Sequence, residues 1–219
     1  MKRLISISVT GALALILLLP NPSAAAGLKK GLKVGLNLAQ LSGESMADLN
    51  AYLGENLKSK LGYCLGGYVT YNINKIFAIQ PEVLYTMKGA AYKEEIGGEI
   101  LKVWINLTYL EIPVLAKITV PSLGTFNPVL FAGPVLALKL SGKLKRELEG
   151  TTTEVDVENM KGIDFGLVFG AGIDLGLETL GMGKLALDLR YTLGLTTISE
   201  FADDDVKNGV FSLMVGVSF

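Results

Sequence analysis

The chain has 219 residues, 20 Lys and Arg against 21 Asp and Glu, no His and a single Cys. A charge balance this close to neutral offers nothing to a nucleic-acid backbone, and one cysteine builds no disulfide framework. The lack of histidine excludes Ser-His-Asp and Cys-His catalysis and the commonest zinc and copper ligand.

The N-terminus reads as an export signal. Met1-Lys2-Arg3 is a basic start, Leu4 to Leu19 is an uncharged apolar run, and Ala24-Ala25-Ala26 supplies a small-residue cleavage site. The run is shorter than the ~18 apolar residues of a spanning helix, so residues 1–26 are expected to be a cleaved signal peptide. No Cys follows the site, so a lipid anchor is not expected. Residues 27–219 then form one domain.

Eight segments of that domain alternate between apolar and other residues, the period of a strand with two unlike faces. They span about 31–41, 60–72, 77–90, 103–118, 127–141, 163–177, 185–195 and 209–219. In the third, Phe77, Ile79, Val83, Tyr85 and Met87 oppose Gln80, Glu82, Thr86 and Lys88. The sixth sets Ile163, Phe165, Leu167 and Phe169 against Asp164, Gly166, Val168 and Gly170. In the eighth, Phe211, Leu213, Val215 and Val217 step by twos to a terminal Phe219. This ending resembles the closing strand that the outer-membrane assembly machinery reads. Several segments exceed the ~9–11 residues a tilted strand needs to cross a bilayer.

Connections alternate in length. Those at 72–75, 120–125 and 178–183 are short; those at 43–59, 91–101, 142–161 and 197–207 are long and mostly polar. Short inner turns and long outer loops belong to an eight-stranded antiparallel up-and-down transmembrane β-barrel. A soluble barrel of the lipocalin kind would carry its charges outside. Here the non-apolar faces are glycine-rich, with isolated charges at Lys33, Glu82, Lys88, Glu111, Lys117, Lys139, Asp164, Asp174, Asp188 and Arg190. Five cations and five anions suit a closed lumen, because a Lys or Arg facing mid-bilayer lipid costs ~2–4 kcal/mol. Outward aromatics should form two interfacial girdles: Tyr63, Trp104, Phe165 and Phe211 on the loop side, Tyr71, Phe77 and Phe219 on the turn side.

Pro81, Pro113 and Pro134 fall inside strands, where each removes a ladder donor; bulges are expected there. The strings Gln80-Pro81-Glu82-Val83-Leu84-Tyr85, Tyr109-Leu110-Glu111-Ile112-Pro113-Val114 and Ala132-Gly133-Pro134 resemble the PorT-like outer-membrane β-barrel family. That resemblance implies eight strands and an outer-membrane location, and carries no activity with it.

No motif points to an enzyme or a cofactor. Glu82 and Glu111 read as members of an internal ion-pair network with Lys117 and Arg190 rather than as an acid/base pair. Cys64 reads as a small packing residue. Asp203-Asp204-Asp205 lacks the later ligands of a calcium loop and reads as a solvated tip. Gly170, Gly172 and Gly176 miss the dinucleotide spacing by one residue. Eight strands enclose room only for side chains, so function is expected in the outer loops, as a structural or surface-interaction role toward an envelope or surface partner. The loop at 142–161, with Lys143, Lys145 and Arg146 ahead of Glu147, Glu149, Glu154, Asp156 and Glu158, is the candidate contact element. The competing reading is a narrow, porin-like solute or ion channel through the charged interior.

Overall fold

Period-two patterning becomes strand wherever it occurs in the computed structural model, which describes residues 28–54, 57–96, 99–120, 126–148, 150–157, 159–176, 183–201 and 203–219. The expected signal peptide, the turn residues 121–125 and 178–182, Leu177, and the loop acids Glu149 and Glu158 lie outside the described residues. The strands are β1 (Leu28–Ser42), β2 (Leu57–Asn72), β3 (Phe77–Ile96), β4 (Glu99–Thr119), β5 (Phe126–Leu148), β6 (Thr151–Asp156), β7 (Ile163–Gly176), β8 (Lys184–Gly194) and β9 (Lys207–Ser218). All neighbours pair antiparallel. Because β1 pairs with β9 and β4 with β5, eight strands close a ring, while β6 hangs on β5 outside it. Closure leaves the ring without a free edge, the condition for a sheet to sit in lipid.

The ring is inside out. Val34, Leu36, Leu61, Leu189 and Leu213 are each more than half exposed on its outer wall, whereas Lys33, Glu82, Lys88, Asp188 and Arg190 are buried within. In water, an exposed apolar band of this extent would drive association; against acyl chains it is the ordinary solvated surface.

The three prolines are accommodated without the bulges expected at Pro81, Pro113 and Pro134. Pro81 opposes Val114, Pro113 opposes Val135 and Pro134 opposes Leu167 in ladders whose register is unchanged on either side. Opposite each proline's other flank pairing lapses briefly and resumes in phase, as from Tyr68↔Glu82 to Tyr71↔Ile79. A missing N–H deletes one rung without adding a residue, so the strand keeps its phase. Register shifts fall elsewhere, between Ser59 and Cys64 and at Thr108/Tyr109.

The long connections are more ordered than polar loops. Residues 91–96 and 99–101 extend β3 and β4, which stay paired there, 142–161 contains the end of β5 and all of β6, and 43–59 contains a short helix, α1 (Glu44–Tyr52). β3, β4 and β5 run 20, 21 and 23 residues. Each exceeds the ~9–11 residues that a crossing needs by about ten, or ~33 Å of strand on the loop side.

Neighbouring strands approach closely at several glycines, Gly66, Gly89 and Gly133 among them. A Cβ on Gly133 would lie 1.9 Å from the Val114 carbonyl oxygen, while one on Gly162 would meet nothing within 4 Å. Gly133→Ala is therefore expected to abolish the heat-modifiable, fast-migrating form on unboiled gels after refolding, and Gly162→Ala to retain it.

Candidate functional site

Inward positions of six strands stack charged side chains along the barrel axis. At mid-height, Lys33 Nζ lies 2.8 Å from Glu82 Oε1 and 2.6 Å from Asp188 Oδ2. Arg190 donates from Nη1 to Glu82 Oε2 at 2.8 Å and approaches Asp188 at 3.5 Å. Gln80 donates to the same Glu82 at 2.6 Å. Two carboxylates thus face two cations, all buried, with Arg190 also over the Phe131 ring and Lys33 over Tyr68. Nearer the loops, Lys88 sits 2.6 Å from Glu111, which accepts from Thr86 at 2.9 Å. Cys64 packs against Leu84 and Met214 between these tiers.

The remaining lumen positions do not join one network. Lys117 pairs with neither Glu82 nor Glu111: it donates to Gln80 at 3.1 Å and lies 3.9 Å from Asp174, on the turn side. Register decides this, since Lys117 opposes Ala78 and Phe131, below the Glu82 tier. Asp164 has no ion pair among the described residues and accepts from Asn208 and Thr196 at 2.9 Å each. Lys139 turns up to the Met160 carbonyl. Asp174 also faces Lys184 at 3.7 Å. Two cavities inside the barrel measure about 40 and 10 Å³, room for a few waters and for about one.

Above the lumen, the outer segments build something the sequence did not signal. Leu107, Tyr109, Ala137 and Ile198 are almost fully buried and form a floor, with Leu41, Ile105, Met160 and Val206 packed on it. Ile198 is held over the lumen by hydrogen bonds from Lys161 N to its carbonyl and from its own N–H to Val206 O, 2.8 Å each. On this floor opens a vestibule of about 740 Å³, walled by α1, the β5–β6 hairpin and the segments around Met160 and Phe201. α1 is tied across by the Asp205 N–H donating to Ser45 Oγ at 2.9 Å. Only glycine fits its entry: Gly43 has φ 109°, and a Cβ there would lie 2.1 Å from the Asp205 carbonyl oxygen. A hydrogen bond from Lys207 holds the Asp205 carboxyl below the usual aspartate range. The polar tip at 203–205 is thus part of a wall, and no group of three metal-ligating acids occurs among the described residues. Met46 and Leu49, three apart on α1, and Ile198 in a polar stretch were the available signals.

The outward aromatics also have definite places. Tyr63, Tyr71, Phe77, Phe165, Phe211 and Phe219 are each about half exposed on the outer wall. Trp104, less exposed, lies under Lys145 at 5.2 Å.

The sequence matches the outer membrane protein beta-barrel domain family over residues 21–200. The chain belongs to that family. This outer-membrane barrel is also similar to three solved structures. Neisserial surface protein A, from Neisseria, is 18% identical with a TM-score of 0.44, covering 89% of this chain and 98% of that one. Ail, the attachment invasion locus protein of Yersinia pestis, is 14% identical with a TM-score of 0.41, covering 87% and 98%. OprG of Pseudomonas aeruginosa is 12% identical with a TM-score of 0.40, covering 88% and 94%. No curated protein matches the chain.

Truncating a buried charge strands its partners. Arg190→Ala is expected to destabilise the barrel by about 3–5 kcal/mol in urea titrations in detergent. Lys102→Ala, which removes a pair to Glu147 whose side chains are 38% and 30% exposed, should cost less than about 1 kcal/mol.

Proposed function

We propose that this outer-membrane barrel is a non-enzymatic surface protein whose outer hairpins and vestibule make its interactions, with the barrel as anchor. The observation that carries this reading is the contrast between the two ends of the molecule: a lumen filled by buried ion pairs below, and about 740 Å³ of open, walled space above. A conducting channel needs a continuous polar path. Here Leu107, Tyr109 and Ile198 lie across it, each at 0% exposure.

In this reading the membrane is that of a Gram-negative cell and residues 1–26 are removed on export. The strand ending at Phe219 is what the assembly machinery engages. The exposed aromatics mark the two lipid interfaces, and the upper one coincides with Trp104, because Lys145 beside it and the Lys102–Glu147 pair already need water. Within the wider family the proline-bearing strands support a PorT-like member. The partner meets β5, β6 and the rim, where Lys143 pairs with Glu154 and β6 pairs only with β5 among the described strands.

Replacing residues 143–157 by a two-residue turn tests the reading. The shortened protein should still insert and migrate as a folded barrel, show no more bilayer conductance than the parent, and reproduce the envelope phenotype of the full gene deletion. An unchanged phenotype in the shortened strain, together with conductance that shifts in Lys33→Ala, would support the channel instead.

A further inference from the structure

We propose that a groove on the outer wall, at the loop-side lipid interface, holds an anionic, phosphate-bearing lipid of the outer leaflet. Its acyl chain lies against Leu61, Ala91 and Trp104, and its phosphate meets Lys93, Lys102 and Lys145. The inference goes beyond the surface role proposed above and takes from it only the placement of Trp104 at the upper interface. The groove encloses about 370 Å³ and is lined by Ser59, Leu61, Ala91, Trp104, Asn106 and Lys145, together with Lys60, whose ammonium donates to the Lys88 carbonyl. It lies where the β2–β3 ladder is interrupted, between Ser59↔Ala90 and Cys64↔Thr86. Position names the occupant's tail. Leu61 and Tyr63 carry the exposed apolar band on toward the turn side, and Tyr85 stacks on Tyr63. A groove continuous with that band opens to acyl chains, which are the solvent of this wall.

Charge names the head. Ala91 opposes Trp104, which opposes Lys145, and the next outward rung toward the loops sets Lys93 beside Lys102 and Lys102 beside Glu147. Two lysines directly opposite on one face repel unless an anion lies with them. Glu147 is 2.9 Å from Lys102. Lys93 and Lys145 have no ion pair among the described residues, and Lys145 is held over the Trp104 ring at 5.2 Å. The exposed Lys58 is the other cross-strand partner of Ala91. Further carboxylates of this face serve elsewhere: Glu154 holds Lys143, Asp156 opposes Lys143, and Glu95 lies one more outward step up β3. Four lysines thus border the groove against one carboxylate. Outward rungs ~7 Å apart on strands ~4.8 Å apart bring their flexible side chains within reach of one phosphate. A zwitterionic head carries its own cation and gains less from this field than an anionic one.

Trp104 is the chain's single tryptophan, so its fluorescence reports on this site. The test reconstitutes the complete barrel in phosphatidylcholine vesicles that contain, at equal mole fractions, either dibrominated phosphatidic acid or dibrominated phosphatidylcholine, and reads quenching. Phosphatidic acid is expected to quench as though enriched about fivefold or more, from the ~1 kcal/mol that each lysine contributes beside an anionic head. In K93Q/K145Q the enrichment should fall to near parity, and in Lys75→Gln, exposed in the turn at the opposite end, it should persist; folding of each variant is read from its heat-modifiable migration. Equal quenching by the two lipids, or enrichment that survives in K93Q/K145Q, overturns the proposal. Displacement of phosphatidic acid by added inorganic phosphate would identify a free-anion site and overturn the lipid assignment. Bromines near the head group or near the chain end set the depth. Strongest quenching from the chain end would withdraw the interface placement and this proposal with it, whereas shallow quenching without head-group preference would remove the lipid site alone and leave the surface role standing.

Discussion

A closed sheet in lipid must place every strand's polar residues in a space barely wider than two side chains, and the pairing of charges in that space governs the rest of this molecule. Lys33, Glu82, Asp188 and Arg190 come from three strands and meet within hydrogen-bonding reach. They can do so only if β1, β3 and β8 hold fixed register around the ring, since a one-residue slip would turn each of them into the acyl chains. The cluster therefore ties ring closure, register and the inside-out arrangement together. Buried pairs of this kind are weak evidence of net stabilisation, but an unpaired member is costly, so they penalise misregistered alternatives.

That filled interior displaces function outward. With the Glu82 tier and the floor around Ile198 in place, the barrel serves as a rigid mount. The strands that overshoot the bilayer, β3 to β5, carry a sheet that with α1 and the segment after β8 forms a walled space. The two ends differ in chemistry for a physical reason. Inside the membrane the outer wall must be apolar and the lumen polar. Beyond it water bathes the outer wall, and the sheet can turn an apolar face inward again. Leu144 and Val155, paired across β5 and β6, face the vestibule, while Lys143 and Glu154 pair on the outer side.

The prolines show how the sheet tolerates what strand propensity disfavours. Pro81, Pro113 and Pro134 lie on successive strands, and each costs a rung of one ladder while its opposite flank stays paired. Spreading the defects over three ladders leaves every strand held from at least one side. Gly133, beside Pro134, permits the close approach to Val114 that this requires.

Period-two patterning made the barrel legible from the chain alone. Alternation from Leu32 to Val217, inward charges at two-residue steps and unequal connections determine the eight crossing strands and which face meets lipid, because those features depend only on local strand geometry and on the solvent outside. Partners in the lumen were not legible. Lys117 belongs with Asp174 rather than Glu111, and Asp164 with Asn208, because pairing depends on the stagger between strands and on which residues share a level. The vestibule was less legible still. Met46, Leu144, Val155 and Ile198 are scattered over more than 150 positions of mostly polar sequence. Only the tertiary structure assembles them, since an apolar cavity is made by residues that meet across loops and leave no period along the chain.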